Sequence, residues 1–296
     1  MKTYLDCIPC FYRQAIESSR LAGLEDDRIK EVVDMTGNLI ARDKLDMTPP
    51  EMAGNVQKII KEISGTDDFY IEIKSKSNKL ALNLYDLVKS RVNRSKDRLL
   101  TAIEMAIAGN IIDFGVKNSI NVEAELERIL NEENKMIKNK NNRFFAYNEF
   151  KQNIDTSKSI IYLADNCGET LFDRILIEEI KNINASIEII YSVKEKPILN
   201  DALLEDAIFC GIDKLCKVVS SGSEIPGTVL DMCSKEFLGY YNKADMVISK
   251  GQGNFESFVD KNKPVFYLFM AKCPAVAKEA GCDVGNINLF FNMKNV

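Results

Sequence analysis

Along the first half of the chain, apolar residues recur at helical spacing, as in Ile29, Val32, Val33, Leu39 and Ile40, and again in Leu99, Ala102, Ile103, Ala106 and Ile107. This periodicity predicts a mostly helical region from Ile8 to about Asn142, punctuated by Gly23, Gly37 and Gly65. Pro49 and Pro50 open one helix that continues through Met52, Val56 and Ile59. The polar run NKMIKNKNNR, Asn134 to Arg143, reads as a solvated tether. From Ser157 the pattern changes to short apolar runs alternating with amphipathic stretches, the rhythm of parallel β/α units. Strands are expected at Ile160–Leu163, Ile187–Ser192, Lys217–Val219, Met246–Ser249 and Val265–Met270. Helices are expected at Thr170–Ile183, Leu199–Cys210, Gly227–Tyr240 and Phe255–Val259. The expected organisation is a helical domain over 1–155 and an α/β domain with a doubly wound sheet over 156–296.

Ligands of such sheets bind beyond the carboxyl ends of the strands, so the residues after each strand carry the functional question. After the first strand comes Ala164-Asp165-Asn166-Cys167-Gly168-Glu169-Thr170, running straight into a helix. A carboxylate and an amide oxygen at a strand end suit a hard divalent cation at roughly 2.1 to 2.4 Å. The helix start beside them suits an anion. Helix capping by Asp165 or Asn166 explains the same residues, and Glu169 can be a first-turn acid. After the second strand, Asp201 in Asn200-Asp201 either caps the next helix or faces Asp165 across the crevice and completes an oxygen site. The fourth strand opens into Lys250-Gly251-Gln252-Gly253-Asn254-Phe255-Glu256, which reads as a tight turn or as a phosphate cradle whose glycines admit backbone N–H groups. Lys272 follows the fifth strand and brings an ammonium suited to a transferring phosphoryl group, or simply an exposed lysine.

Composition narrows the chemistry further. The chain contains no histidine, which excludes Ser-His-Asp and Cys-His catalysis and histidine-ligated zinc. Acid, base and metal-ligating work then falls to carboxylates, Lys, Tyr or Cys. A formal net charge of -5 with mixed signs gives no nucleic-acid groove and no membrane-binding face, and 46% hydrophobic content fills a real core. No apolar stretch is long enough to cross a bilayer, and MKTYLDCIPC lacks the features of a secretion signal, so a cytoplasmic protein is expected. The eight cysteines of such a chain are read as mostly buried thiols. Cys7-Ile8-Pro9-Cys10 is a reduced pair, a redox pair, or half of a metal site that Cys273 or Cys167 would extend. Asn110 and Asp113 lie at the end of an apolar helix, from which they reach over the crevice or simply mark its termination.

The segments DNCGET, ILNDALLEDA, KGQGNFE and AKCP, in that order, resemble the damage-control phosphatase family, long catalogued as a domain of unknown function. CIPC and the GNIIDFG of Gly109 to Gly115 resemble its short microbial branch. The resemblance implies a helical N-terminal domain on a Rossmann-like three-layer α/β/α metal-binding domain. It implies hydrolysis of small phosphorylated metabolites with magnesium, manganese, cobalt or nickel. Asp165, Asn166 and Asp201 match the family's metal ligands, Lys250 to Glu256 (with Gly251, Gly253 and Asn254) its substrate loop, and Lys272 its phosphate-binding lysine; Asn166 and Glu169 also border the phosphate. Some relatives carry an N-terminal-domain arginine and an Arg-Thr pair before the late lysine, where this chain reads FMAK, Phe269 to Lys272. Substrate orientation therefore differs from theirs, and sugar-phosphate specificity does not carry over. Water is the favoured nucleophile and Asp165 the alternative. Two other readings stay open: a non-catalytic phosphosugar or nucleotide sensor, and a zinc or iron protein built on Cys7 and Cys10.

Overall fold

The computed structural model describes residues 1–43, 45–110, 145–258 and 263–292. The expected tether, Asp113, most of GNIIDFG and Val259 lie outside these residues. Three helices open the chain: α1 (Ile8–Leu21), α2 (Asp26–Arg42) and α3 (Pro49–Ser64). α3 begins where the Pro pair predicts, with Thr48 and Glu51 forming a reciprocal capping box that satisfies two orphan backbone donors. Two further helices follow, α4 (Ile71–Arg94) and α5 (Arg98–Ala108), the latter capped by Asp97, whose carboxylate accepts from Leu100 N at 3.1 Å. α6 (Tyr147–Thr156) leads into the sheet.

The sheet has six strands: β1 (Ser159–Leu163), β2 (Glu188–Val193), β3 (Lys217–Ser220), β4 (Met246–Lys250), β5 (Val265–Met270) and β6 (Ile287–Phe291). Their spatial order is β3-β2-β1-β4-β5-β6; the first five are parallel, and β6 pairs antiparallel with β5. The five expected strands appear within a residue or two of their expected limits. β6 is not among the strands expected from the sequence. Side chains alternate across β1: Ile160 and Tyr162 enter one core with α5, α6 and α7 (Thr170–Ile183), and Ile161 and Leu163 enter the other. The second core is closed by α9 (Lys235–Lys243), α10 (Gln252–Ser257) and α11 (Pro274–Ala280).

Three expected helices change. The one expected over Leu199–Cys210 contracts to α8 (Leu204–Phe209), because Leu199 takes a left-handed φ of 48° and Asp201 pairs with the segment after β1 instead of coiling. The one expected over Gly227–Tyr240 becomes a 3₁₀ turn at Leu230–Met232 followed by α9 with Ser234 as its cap. α10 starts at Gln252, three residues before the expected Phe255.

The packing of the helical half is unequal. Leu84, Val88 and Val92 of α4 and the apolar face of α5 share one core with the strands. α1, α2 and α3 form smaller clusters of their own, around Phe11 and Met52 and around Ala15, Val32, Val56 and Ile60. They lean on the carboxyl ends of the strands: Lys61 Nζ donates to the Pro197 carbonyl at 2.6 Å, and a Cβ on Gly54 would stand 2.5 Å from Ile225 Cγ2. No helix among the described residues is long and apolar enough to cross a membrane.

Candidate active site

The strand order reverses between β1 and β4, which leaves a crevice beyond their carboxyl ends. Asp165 and Asn166 leave β1 there. Ala202 N donates to Asp165 O at 2.8 Å and Cys167 N donates to Asn200 O at 2.9 Å, so Asn166 and Asp201 are opposed as an isolated antiparallel bridge. The bonds flank this pair and do not join it, the arrangement in which facing side chains stand closest. Neither side chain caps a helix. Asn166 makes no side-chain cap hydrogen bond, and α8 begins beyond Asp201.

The side chains around this bridge are fixed from below. Asn166 Nδ2 donates to Glu169 Oε1 at 2.9 Å, which directs Oδ1 of the same amide away from Glu169. Asn110 Nδ2 donates to that same Oε1, and Lys250 Nζ donates to Oε2 at 2.7 Å. Lys250 is fully buried and also pairs with Asp173 Oδ1 at 3.1 Å. Asp173 in turn accepts from the Tyr162 and Tyr191 hydroxyls at 2.7 and 2.8 Å. Burial by itself would lower the Lys250 pKa, but the charges of Asp173 and Glu169 outweigh it and the net shift is upward. The ammonium is thus turned into the core, under the crevice.

Asp201 is 4% exposed, and its Oδ2 has no hydrogen-bond partner; the Lys194 ammonium stands 3.7 Å away, an ion-pair distance and not a hydrogen bond. Burial raises the Asp201 carboxyl to about 6 against the opposing charge of Lys194, with Glu169 adding repulsion. Asp165 is held well above the usual carboxylate range, first by burial and then by the charges of Glu169 and Asp201, while Lys272 and Lys250 pull the other way. Both carboxyls remain shifted upward despite these lysines, so further positive charge beside them would be favourable. Two carboxylates and an amide oxygen suit a hard divalent cation. Among the described residues no group of three or more His, Cys, Asp or Glu side chains is arranged to hold a metal.

Gly251 shows how tightly the corner is built. Its φ is +81°, and a Cβ on it would sit 1.9 Å from Asp165 Oδ2, so only glycine fits on both counts. Its N–H is spent on Leu268 O at 2.9 Å. Asn254 is a brace: Nδ2 donates to Ala164 O at 3.0 Å and Lys250 O at 2.8 Å, and Oδ1 accepts from Thr228 Oγ1 at 2.6 Å. These bonds tie the ends of β1 and β4 together.

Above the corner lies a cavity of about 590 Å³. Asp165, Asn166, Asp201, Gly253, Glu256 and Lys272 line it, whereas Glu169, Lys250, Gly251 and Asn254 form the layer beneath. Its other wall comes from the helical half. Cys7, Cys10, Arg13 and Gln14 at the start of α1 and Pro50 and Ala53 of α3 face the strand ends. Arg13 and Gln14 were not anticipated from the sequence, since an arginine on the polar side of an amphipathic helix carries no local sign of what it faces. All eight cysteines are free thiols.

A family model for the damage-control phosphatase ARMT1-like domain matches residues 3–287. The chain belongs to that family. Its relatives include the damage-control phosphatase PH1575 of Pyrococcus horikoshii, 35% identical over 282 residues, with 94% of each chain covered. An uncharacterised protein of Methanocaldococcus jannaschii, MJ0202, is 39% identical over 293 residues, covering 95% of this chain and 92% of that one. A damage-control phosphatase of Archaeoglobus fulgidus is 29% identical, covering 95% and 96%. The fold is similar to the crystal structure of PH1575, described as a DUF89 family protein, with a TM-score of 0.87, 33% identity and 99% of both chains covered. The fold of that protein is therefore shared along nearly the whole chain, including α1 and α3, which wall the cavity.

Proposed function

We propose that this family member is a divalent-metal-dependent phosphatase that hydrolyses small phosphorylated metabolites in a house-cleaning role, with manganese, magnesium, cobalt or nickel as the cation. The observation that carries the reading is the convergence of Asp165, Asn166 and Asp201, with the orphaned Asp201 Oδ2, on a cavity that Lys272 also lines. Two relatives carry the name damage-control phosphatase, which supports the same activity. The strand order β3-β2-β1-β4-β5-β6 supports the Rossmann-like reading of the sheet.

Asp165, Asn166 and Asp201 would hold the cation, which would supply Lewis acidity toward the phosphoryl group. Lys272 offsets the remaining charge of the phosphoryl group, and Arg13 provides a second cationic side chain on the opposite wall. Glu169 acts through Asn166, fixing its amide so that the oxygen is presented, and Lys250 in turn holds Glu169. Gly251, Gly253 and Asn254 shape the floor against which the substrate rests. α1 and α3 exclude bulk water from the reacting group. Water is the nucleophile in this scheme and Asp165 the alternative. Phosphate release from p-nitrophenyl phosphate, with and without added divalent cation, tests it. Cation-stimulated release that Asp165→Ala abolishes is the expected result; a full rate in that variant, or no stimulation of the wild type, overturns the reading.

A further inference from the structure

Glu256 is a carboxyl group on the wall of a cavity read as accepting a dianion. It lies on α10, is 9% exposed, and lines the same cavity as Asp165 and Lys272. Gln252 holds it: Nε2 donates to Glu256 Oε1 at 2.8 Å, and Oε1 of the same amide accepts from the Lys272 backbone N at 2.8 Å. One glutamine thus fixes both Glu256 and the loop that carries Lys272. Glu256 Oε2 has no hydrogen-bond partner among the described residues. The groups facing Glu256 are Lys272 and Cys273 after β5, Cys7 at the start of α1, and the amino terminus, which donates to the Glu256 carbonyl. From α3 the cavity is faced by Pro49, Pro50 and Ala53, which carry no charge, and from β4 the Lys250 ammonium is turned to Glu169. Burial raises the carboxyl to about 7, with the Gln252 hydrogen bond, the amino terminus and Lys272 pulling it down. The Lys272 charge acts on both Asp165 and Glu256, and all three line the same cavity.

We propose that Glu256 is the general acid of the reaction, protonating the leaving oxygen, and that the substrates are phosphate monoesters of alkyl alcohols, whose leaving groups require a proton. The inference rests on the phosphatase reading of the same cavity. As the P–O bond to the leaving group breaks, its electron pair stays on that oxygen and takes the Glu256 proton, giving ROH. Water forms the new P–O bond and the product leaves the phosphorus centre as H₂PO₄⁻. That product returns one proton to the Glu256 carboxylate and becomes HPO₄²⁻, so the sum is ROPO₃²⁻ and water giving ROH and HPO₄²⁻. A neutral acid also resolves the electrostatic difficulty, since a protonated Glu256 does not repel the phosphoryl dianion. An aryl or acyl leaving group departs as a stable anion and gains little from this proton.

The test compares glycerol phosphate with p-nitrophenyl phosphate, using the full chain with its activating cation, for wild type, Glu256→Gln and Glu256→Asp. In Glu256→Gln the ratio of kcat/KM for the alkyl ester to that for the aryl ester is expected to fall about 100-fold. The wild-type rate on the alkyl ester is expected to decline as pH rises through about 7, where the acid loses its proton, and Glu256→Gln to lose that limb. Glu256→Asp keeps the limb and recovers part of the ratio. Equal losses on both esters, or an alkyl-ester profile for the wild type with no decline near neutrality, overturn the proposal, and the second outcome needs no variant to fold. A wild type that releases phosphate from neither ester with any cation sinks the phosphatase reading instead.

Discussion

Asn166 and Asp201 face each other across an isolated antiparallel bridge between two segments that follow different parallel strands. The flanking hydrogen bonds lock the register, so the amide and the carboxylate emerge side by side beneath the cavity. The bridge costs charge repulsion with Asp165 and leaves Asp201 Oδ2 unbonded. A divalent cation held there, as proposed, would relieve both.

That relief is measurable without turnover. Manganese or magnesium is expected to raise the melting temperature of the wild type; at about 100 times its dissociation constant a ligand stabilises by about 2.7 kcal/mol. Asp201→Asn removes a proposed ligand and a repelling charge together. It is expected to melt about 2–4 °C higher without cation, and to lose the cation-induced shift. Differential scanning calorimetry with and without each cation checks both parts.

Gly251→Ala should act on the same corner from another side. The methyl group would overlap Asp165 Oδ2 at 1.9 Å, and the backbone φ of +81° disfavours any side chain, so Asp165 has to move. The expected outcome is a folded protein with lower stability, no cation-induced thermal shift and phosphate release reduced by at least about 100-fold.

Lys250→Met tests the layer beneath. Removing the ammonium leaves Glu169 and Asp173 buried without their partner, a change expected to cost about 3–5 kcal/mol in urea denaturation. Adding Glu169→Gln to that variant should restore part of the loss, because one of the two stranded charges is gone. A Lys250→Met protein of unchanged stability would show that the ammonium does not hold this network.

Glu104 gives a pH dependence remote from the cavity. It is 7% exposed on α5, and burial raises its carboxyl to about 7, with Arg91 opposing and Asp97 adding repulsion. A carboxyl raised on folding favours the folded state while both states are protonated, below about 4.5, and that contribution is lost as pH rises through about 7. The loss is on the order of 3 kcal/mol. Glu104→Gln should flatten this part of the stability profile and be more stable than wild type at pH about 8 in urea titrations.

Strands β1 to β5 were legible because each is a short apolar run bounded by polar turns, and α7 because its apolar spacing is unbroken. β6 and α11 were not among the expected elements. Leu199 to Asp201 looked like the start of a helix, and only its pairing with the end of β1 drew it out into an extended segment. Lys250 stood beside two glycines as if to reach a ligand, yet its side chain is spent on Glu169 and Asp173. Nothing local marks this, because those acids follow β1 and lie far from Lys250 in the chain.

What the sequence by itself determined is the chemistry available: no histidine, hard oxygen donors at strand ends, and apolar runs that commit the second half of the chain to a parallel sheet. Burial periodicity is local, so it can be read residue by residue. The tertiary structure alone decided which donors converge, which ammonium faces the cavity and which the core, and that α1 and α3 form the opposite wall. Those outcomes depend on contacts between segments distant in the chain, whose partners are chosen by the packing of the whole fold and not by their neighbours in sequence.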